Sequence, residues 1–281
     1  MKHLILFTTL LFVFSCSSNP PDKCENKSPS HKLDKDGNQI AHGDEWVCHE
    51  NGMWKKQAKW QDGKPIEKLL TWHNNGQKET EFIFGENGKG TGWYRSGVKR
   101  FENNISIEGK KQGKSIDWHE NGKKRTESYY KDGKQEGKET NWYDNGQMKS
   151  AGSYSNGYMR NYGKGVELWS SYKQGLWKEW YENGKNKEEG TYKDDKKSGA
   201  WTEWYENGHL KSTGSYKGGE MKTTSYGGSQ YWSSYEQGLW ITWDKDGEKN
   251  DEIEYKDGKR HGKYKLYSNG KVIYSTKYEN G

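Results

Sequence analysis

Large apolar residues other than Trp, Tyr and Met are scarce in this chain: Leu, Ile, Val and Phe together number 33 of 281 residues, too few for the layered helix-and-sheet core of an ordinary domain. Proline is scarcer, with four residues and none beyond Pro65, so nothing in the rest of the chain forbids a continuous β-ladder. Three cysteines exclude a disulfide-dense scaffold. Neither sign of charge dominates, with 46 Lys+Arg against 40 Asp+Glu. Low aliphatic content alone points to disorder. The aromatic content reverses that reading: 15 Trp, 20 Tyr and 6 Phe can each bury roughly 150–250 Å² while tolerating a wet edge. With 36 glycines, the composition describes a folded chain with a thin aromatic core.

The one long apolar run is at the start. Met1-Lys2-His3 precedes Leu4 to Phe14, then Ser15-Cys16-Ser17. That run is too short for a permanent membrane span, and residues 1–15 read as a secretion signal. Val13-Phe14-Ser15-Cys16 resembles the lipobox of bacterial lipoproteins, although Phe14 is larger than the residue usual in its slot. The resemblance implies that Cys16 is acylated, and Ser17 in place of Asp implies an outer-membrane lipoprotein on the periplasmic or surface face. The alternative is ordinary signal cleavage near Cys16. In an oxidising compartment Cys24 and Cys48 are expected to pair. Residues 16–42, with Pro20, Pro21 and Pro29 among many polar residues, read as a flexible tether.

From residue 43 to 281 one phrase recurs, as in Trp142-Tyr143-Asp144-Asn145-Gly146 and Trp180-Tyr181-Glu182-Asn183-Gly184. Its glycine recurs as Gly52, Gly76, Gly97, Gly122, Gly146, Gly184, Gly208, Gly247 and Gly270, at spacings of 24, 21, 25, 24, 38, 24, 39 and 23. A second turn follows 11 or 12 residues later, among them Asp62-Gly63, Asp132-Gly133, Asn156-Gly157 and Asp257-Gly258. Asn-Gly and Asp-Gly supply the positive φ of tight hairpins, so the spacing predicts short antiparallel strands in about nine hairpin units. The residue four before each marker is mostly Trp (Trp72, Trp93, Trp118, Trp142, Trp180, Trp204, Trp243), and the residue eight after it is aromatic or apolar (Trp60, Phe84, Ile105, Tyr130, Tyr154, Tyr192, Tyr216, Tyr255, Tyr278). Stacked strands would turn these into two ladders, the expected core. Trp177, Trp201 and Trp240, three residues before the first ladder, are expected on the other face.

These units resemble the variant MORN repeats, which carry a Trp-Tyr-x-Asn-Gly core and a Tyr-Lys-Asp-Gly-Lys type ending. The resemblance implies an all-β, elongated, twisted array of antiparallel β-hairpins. Bacterial members are often labelled YwqK-type antitoxins, which implies a protein partner, including a secreted toxin. The family offers no catalytic residues to carry over.

The array breaks twice in the same phase, near residues 158–174 and 220–237. Four residues between a second turn and the glycine of the next unit become 18 (Gly157 to Gly175) and 19 (Gly219 to Gly238). Inside sit Trp169-Ser170-Ser171-Tyr172 and Trp232-Ser233-Ser234-Tyr235, offset by 63. Insertions at one phase emerge on one edge, and loops on a rigid scaffold are where binding resides. Trp169, Tyr172, Trp232 and Tyr235 are therefore the candidate partner-binding patch, for a protein surface or for stacking on an envelope glycan or peptidoglycan. The alternative is that these aromatics cap the array or extend its strands.

Enzymatic chemistry is not indicated. Glu120, Glu182 and Glu206 recur in equivalent turns, whereas a catalytic carboxylate pair needs two distinct environments. His49, His73 and His119 share a slot that is Tyr in later repeats, so no metal site is expected, and no cofactor motif occurs. Interspersed Lys and Glu describe a solvated face rather than a nucleic-acid stripe. The expected function is a non-enzymatic, membrane-anchored binding scaffold in the cell envelope.

Overall fold

The computed structural model describes residues 24–159, 168–223 and 230–279. Those residues form nineteen strands: β1 (Ser30–Leu33), β2 (Gln39–Cys48), β3 (Trp54–Gln61), β4 (Lys64–Trp72), β5 (Lys78–Ile83), β6 (Gly88–Trp93), β7 (Lys99–Ile105), β8 (Lys111–Trp118), β9 (Lys124–Lys131) and β10 (Lys134–Trp142) in the first half. The second half holds β11 (Met148–Met159), β12 (Leu168–Trp180), β13 (Asn186–Lys193), β14 (Lys196–Trp204), β15 (Leu210–Thr223), β16 (Gln230–Trp243), β17 (Lys249–Lys256), β18 (Lys259–Ser268) and β19 (Lys271–Tyr278). Each strand pairs antiparallel with its neighbours in sequence, from β1 with β2 to β18 with β19. The architecture is an all-β meander of hairpins.

Two turn chemistries alternate. At every marker but Gly270 only the glycine takes positive φ, 82° at Gly184, where its N–H donates to the carbonyl of Tyr181 at 2.9 Å. That is a type I turn closed by a bulge, and the register shifts there between Glu179 and Trp180. At the second turns Asp62-Gly63, Asp132-Gly133, Asp194-Asp195 and Asp257-Gly258 both residues are left-handed, with 51° at Asp132 and 79° at Gly133, the two-residue type I′ turn. Asn156-Gly157 is not a turn: both residues lie within β11, opposite Ser171 and Ser170.

The buried centre differs from the expected ladders. Trp177 and Trp201 are 4% and 2% exposed, whereas the tryptophans four before the marker are half-buried, with Lys78, Lys99 and Lys124 lying 5.3–5.6 Å over Trp93, Trp118 and Trp142. Register explains the change. Trp177 faces Gly190 and Gly175 faces Tyr192 across β12 and β13, so the tryptophan set and the tyrosine set share one face. The cross-strand glycine makes room for the indole: a Cβ on Gly190 would lie 2.2 Å from the Trp201 ring. The result is a zigzag of edge-to-face rings, Tyr154, Trp177, Tyr192, Trp201, Tyr216 and Trp240, with centroids 5.0–6.2 Å apart. The indole N–H groups of Trp177, Trp201 and Trp240 donate to the carbonyls of Ser153, Thr191 and Ser215. Lys197 covers the Trp201 ring at 3.9 Å.

The stretch read as a tether is strand over part of its length. β1 pairs with β2 around a turn in which the Asp34 carboxylate accepts from the backbone N–H groups of Asp36 and Asn38, because Asp-Lys-Asp-Gly is the same turn chemistry as the marker at Asp244-Lys245-Asp246-Gly247. Cys24 and Cys48 are joined by a disulfide, Cα–Cα 5.8 Å, and Lys27 bridges Trp46. Residues 1–15 and Cys16 lie outside the described residues.

Candidate functional site

The motif residues are consumed by the scaffold. Six marker asparagines, Asn51, Asn75, Asn121, Asn145, Asn183 and Asn207, each donate from Nδ2 to a carbonyl in the next marker turn, at 2.6–3.0 Å. At seven markers the residue three before the glycine reaches the carbonyl of the next repeat's tryptophan. His49, His73 and His119 do so through Nε2 (to Trp72, Trp93 and Trp142), and Tyr94, Tyr143, Tyr181 and Tyr205 through the hydroxyl (to Trp118, Trp180, Trp204 and Trp243). His and Tyr interchange in this slot because each presents one donor at the tip of a flat ring. Among the described residues no group of three or more His, Cys, Asp or Glu is placed to hold a metal ion. An open groove of about 670 Å³ is lined by the ladder residues His119 and Tyr143 together with Arg125, Asn141 and Glu182.

The two insertions are the departure from this pattern. They continue the strands rather than forming loops: β11 and β12 stay paired out to Met159 and Leu168, and β15 and β16 out to Thr223 and Gln230. β10 stops pairing with β11 at Tyr154, and β13 begins pairing with β12 at Gly175. β14 likewise leaves β15 at Tyr216, and β17 meets β16 at Gly238. Two-stranded ribbons therefore run past their neighbours on the edge that carries the type I′ turns. One hairpin, β13–β14, separates them.

Each ribbon is locked at its root by the next second turn. Asp195 N–H donates to the Lys173 carbonyl at 3.1 Å, Lys173 N–H to the Asp195 carboxylate at 2.6 Å, and Asp194 N–H to the Gln174 side chain. In the second cassette Gly258 N–H donates to the Glu236 carbonyl and Asp257 N–H to the Gln237 side chain, both at 3.0 Å. Unlengthened repeats use the same lock, with Gly63 on Ala41 and Gly133 on Lys111.

This lock divides the four expected patch residues. Tyr235 is 7% exposed with its Cβ against Gly258, and Tyr172 is half-buried at the equivalent place. They fill the slot that Ile40 and Lys110 fill against Gly63 and Gly133. Trp169 and Trp232 sit farther out, their backbones opposite Tyr158 and Met221; their side chains lie outside the described residues. Burial, the main cause, pushes the hydroxyls of Tyr154, Tyr192 and Tyr216, beneath this edge, up to about 12.

Sequence reasoning missed two residues beside the ribbons. Leu176 and Leu239 are 56% and 50% exposed. They occupy a slot, eight before the marker glycine, that is Asp44, Lys68, Lys89, Lys114, Lys138 and Ala200 in other repeats. An alignment of the repeats on their marker glycines carries that signal.

Four segments, residues 111–132, 135–156, 173–194 and 197–217, match the MORN repeat variant. The chain thus carries MORN-type repeats across β8–β15, and the first ribbon falls between two matched segments. No curated protein matches the chain. Among solved structures it is similar to chains in the crystal structures of TcdB2-TccC3-TEV, TcdB2-TccC3 and TcdB2-TccC3-Cdc42. Identities are 10%, 11% and 11%, with TM-scores of 0.21, 0.19 and 0.18. The matches cover 85%, 87% and 84% of this chain but 13%, 15% and 14% of those chains.

Proposed function

We propose that this chain is a non-enzymatic binding scaffold, exported and lipid-anchored through Cys16 in the bacterial outer membrane, that holds a protein partner on the edge carrying the two ribbons. MORN-type repeats mediate binding to proteins or membranes. The observation that carries the reading is the leucine pair: a slot that is lysine in four earlier repeats and alanine at Ala200 takes a large exposed apolar side chain in the two cassettes that also bear ribbons. Large exposed apolar side chains along one edge of a polar surface favour a protein partner. A secreted toxin, held in the manner of an antitoxin, is the partner class that the repeat resemblance suggests. Glu182 and Glu206 offer their backbone carbonyls to the asparagine ladder and are exposed, which supports a structural role for those turns. The Cys24–Cys48 disulfide supports export.

The test is crosslinking capture from intact cells, comparing the native chain with a Leu176→Lys, Leu239→Lys double variant. Lysine suits this slot elsewhere, so the variant keeps its unfolding midpoint within about 0.5 kcal/mol. A protein recovered with the native chain and lost with the variant supports the reading. Equal recovery by both removes the leucine edge as the site, and recovery of glycan fragments in place of protein moves the function to envelope-sugar binding.

A further inference from the structure

Eight Asn-Gly pairs have described side chains: those at Asn51, Asn75, Asn87, Asn121, Asn145, Asn183, Asn207 and Asn269. Sequence alone makes them equal candidates for spontaneous succinimide chemistry, because glycine offers no side chain to block attack by its own backbone nitrogen. The fold makes them unequal.

In six of them every reacting group is held. The Asn Nδ2 donates across to the next turn, and Oδ1 accepts from the N–H two residues on, at 2.8–3.2 Å. The attacking nitrogen of the glycine is also engaged: Gly184 N–H donates to Tyr181, and Gly52, Gly76, Gly122, Gly146 and Gly208 do likewise within their own turns at 2.8–3.0 Å. At Asn87 the following Gly88 is buried and its N–H donates to Gly85 at 3.2 Å.

Asn269 differs in each respect. It stands in a two-residue type I′ turn, φ 50° with Gly270 at 71°, closed by the Ser268–Lys271 pair. In that turn the second central N–H points away from the closing bond. Among the described residues neither the Asn269 side chain nor the Gly270 N–H has a hydrogen-bond partner, and both residues are exposed.

We propose that, among the eight described Asn-Gly pairs, Asn269 is the deamidation site. The Gly270 nitrogen loses its proton and attacks Asn269 Cγ; the N–Cγ bond forms, the Cγ–Nδ2 bond breaks, and ammonia leaves with that proton. Water then opens the resulting succinimide at one of its two carbonyls, giving aspartate or isoaspartate. Aspartate fits the turn, since Asp132-Gly133 and Asp257-Gly258 hold the same conformation. Isoaspartate adds a methylene to a two-residue connection and loosens β19 from β18. The modification therefore marks one hairpin of the array and spares the asparagine ladder.

The experiment ages the full chain in mildly alkaline buffer, with a parallel sample in concentrated urea, and reads each Asn-Gly peptide by mass spectrometry with isoaspartate-specific methylation. In the folded sample Asn269 converts faster than the six ladder asparagines by on the order of tenfold or more, the factor lost with one or two hydrogen bonds, and Asn87 falls between. In urea the eight rates converge. A ladder asparagine converting as fast as Asn269 in the folded chain overturns the proposal, as does the same ranking persisting in urea.

Discussion

The row of side chains seven before and six after each marker runs through the whole sheet, and its filling changes abruptly along it. From β12 to β17 it reads Trp177, Gly190, Trp201, Gly214, Trp240 and Ile253; from β7 to β9 it reads Asn103, Ser115 and Ser128. The polar three are buried at 5%, 1% and 2% exposure, as are Trp177, Trp201 and Ile253 of the first stretch, while Gly214 and Trp240 are half-buried; both stretches keep the same hairpin geometry. In the first, each indole lies flat over a glycine and has its N–H satisfied. In the second, Asn103 Oδ1 and Ser115 Oγ have no hydrogen-bond partner, and a buried unsatisfied polar atom costs about 1–3 kcal/mol. Backbone pairing and the asparagine ladder therefore set the architecture, while the row decides how firmly each stretch is held. The ribbons stand where the row is aromatic, so the lengthened strands rest on the more firmly packed half.

The largest effect separating the two stretches comes from removing a tryptophan from the aromatic row. Trp201→Ala is expected to cost about 3–5 kcal/mol, the range for a fully buried large aromatic. Trp118→Ala, at a half-buried site beneath Lys99, should cost less than half of that. Denaturant unfolding of the two variants checks this; equal losses would show that the −4 ladder contributes as much packing as the buried row.

A second contrast appears at alkaline pH. The hydroxyls of Tyr154, Tyr192 and Tyr216 are pushed up to about 12 from an ordinary value of 10.0. The folded state thus holds protons that the unfolded state gives up above about pH 10, so these residues stabilise the fold fully below that pH. Their contribution falls as pH rises from 10 towards 12. Ultraviolet titration of the 20 tyrosines should show a late-ionising group of three, coincident with loss of near-ultraviolet ellipticity. Ionisation of all tyrosines in one step near 10 would contradict the buried zigzag.

The turns and the strand meander can be read from the residues because Asn-Gly and Asp-Gly specify backbone conformations that few other pairs adopt. Choosing the buried face was harder, since tryptophans four and seven before the marker lie on opposite faces and both look apolar. The deciding signal was small: Gly152, Gly190 and Gly214 sit six after their markers, and glycine across from an aromatic is what a flat indole requires. Asn156-Gly157 misled because a ladder partner, Ser170 and Ser171, overrode its turn preference. Tyr172 and Tyr235 fill, against the second turn, the slot that Ile40 and Lys110 fill, a placement that the sequence of the insertions alone does not carry. The asparagine bridges between repeats depend on the stacking distance of successive hairpins, which no single repeat encodes.

The smallest effect tests the polar half directly. Ser115→Ala removes a hydroxyl that is 1% exposed and unpartnered while keeping the Cβ, so it deletes a desolvated group without opening a cavity of appreciable size. The unfolded chain loses a hydroxyl that water satisfied, and the folded chain loses one that nothing satisfied. The difference favours the folded state by about 1 kcal/mol. Amide exchange in β7, β8 and β9 should slow in step, because local opening of this stretch is what the unsatisfied oxygen promotes. Ser128→Ala, at the neighbouring position of the same row and 2% exposed, is the companion variant. If both variants lose stability alike, the polar row is held by hydrogen bonds and the two halves of the sheet are equally firm.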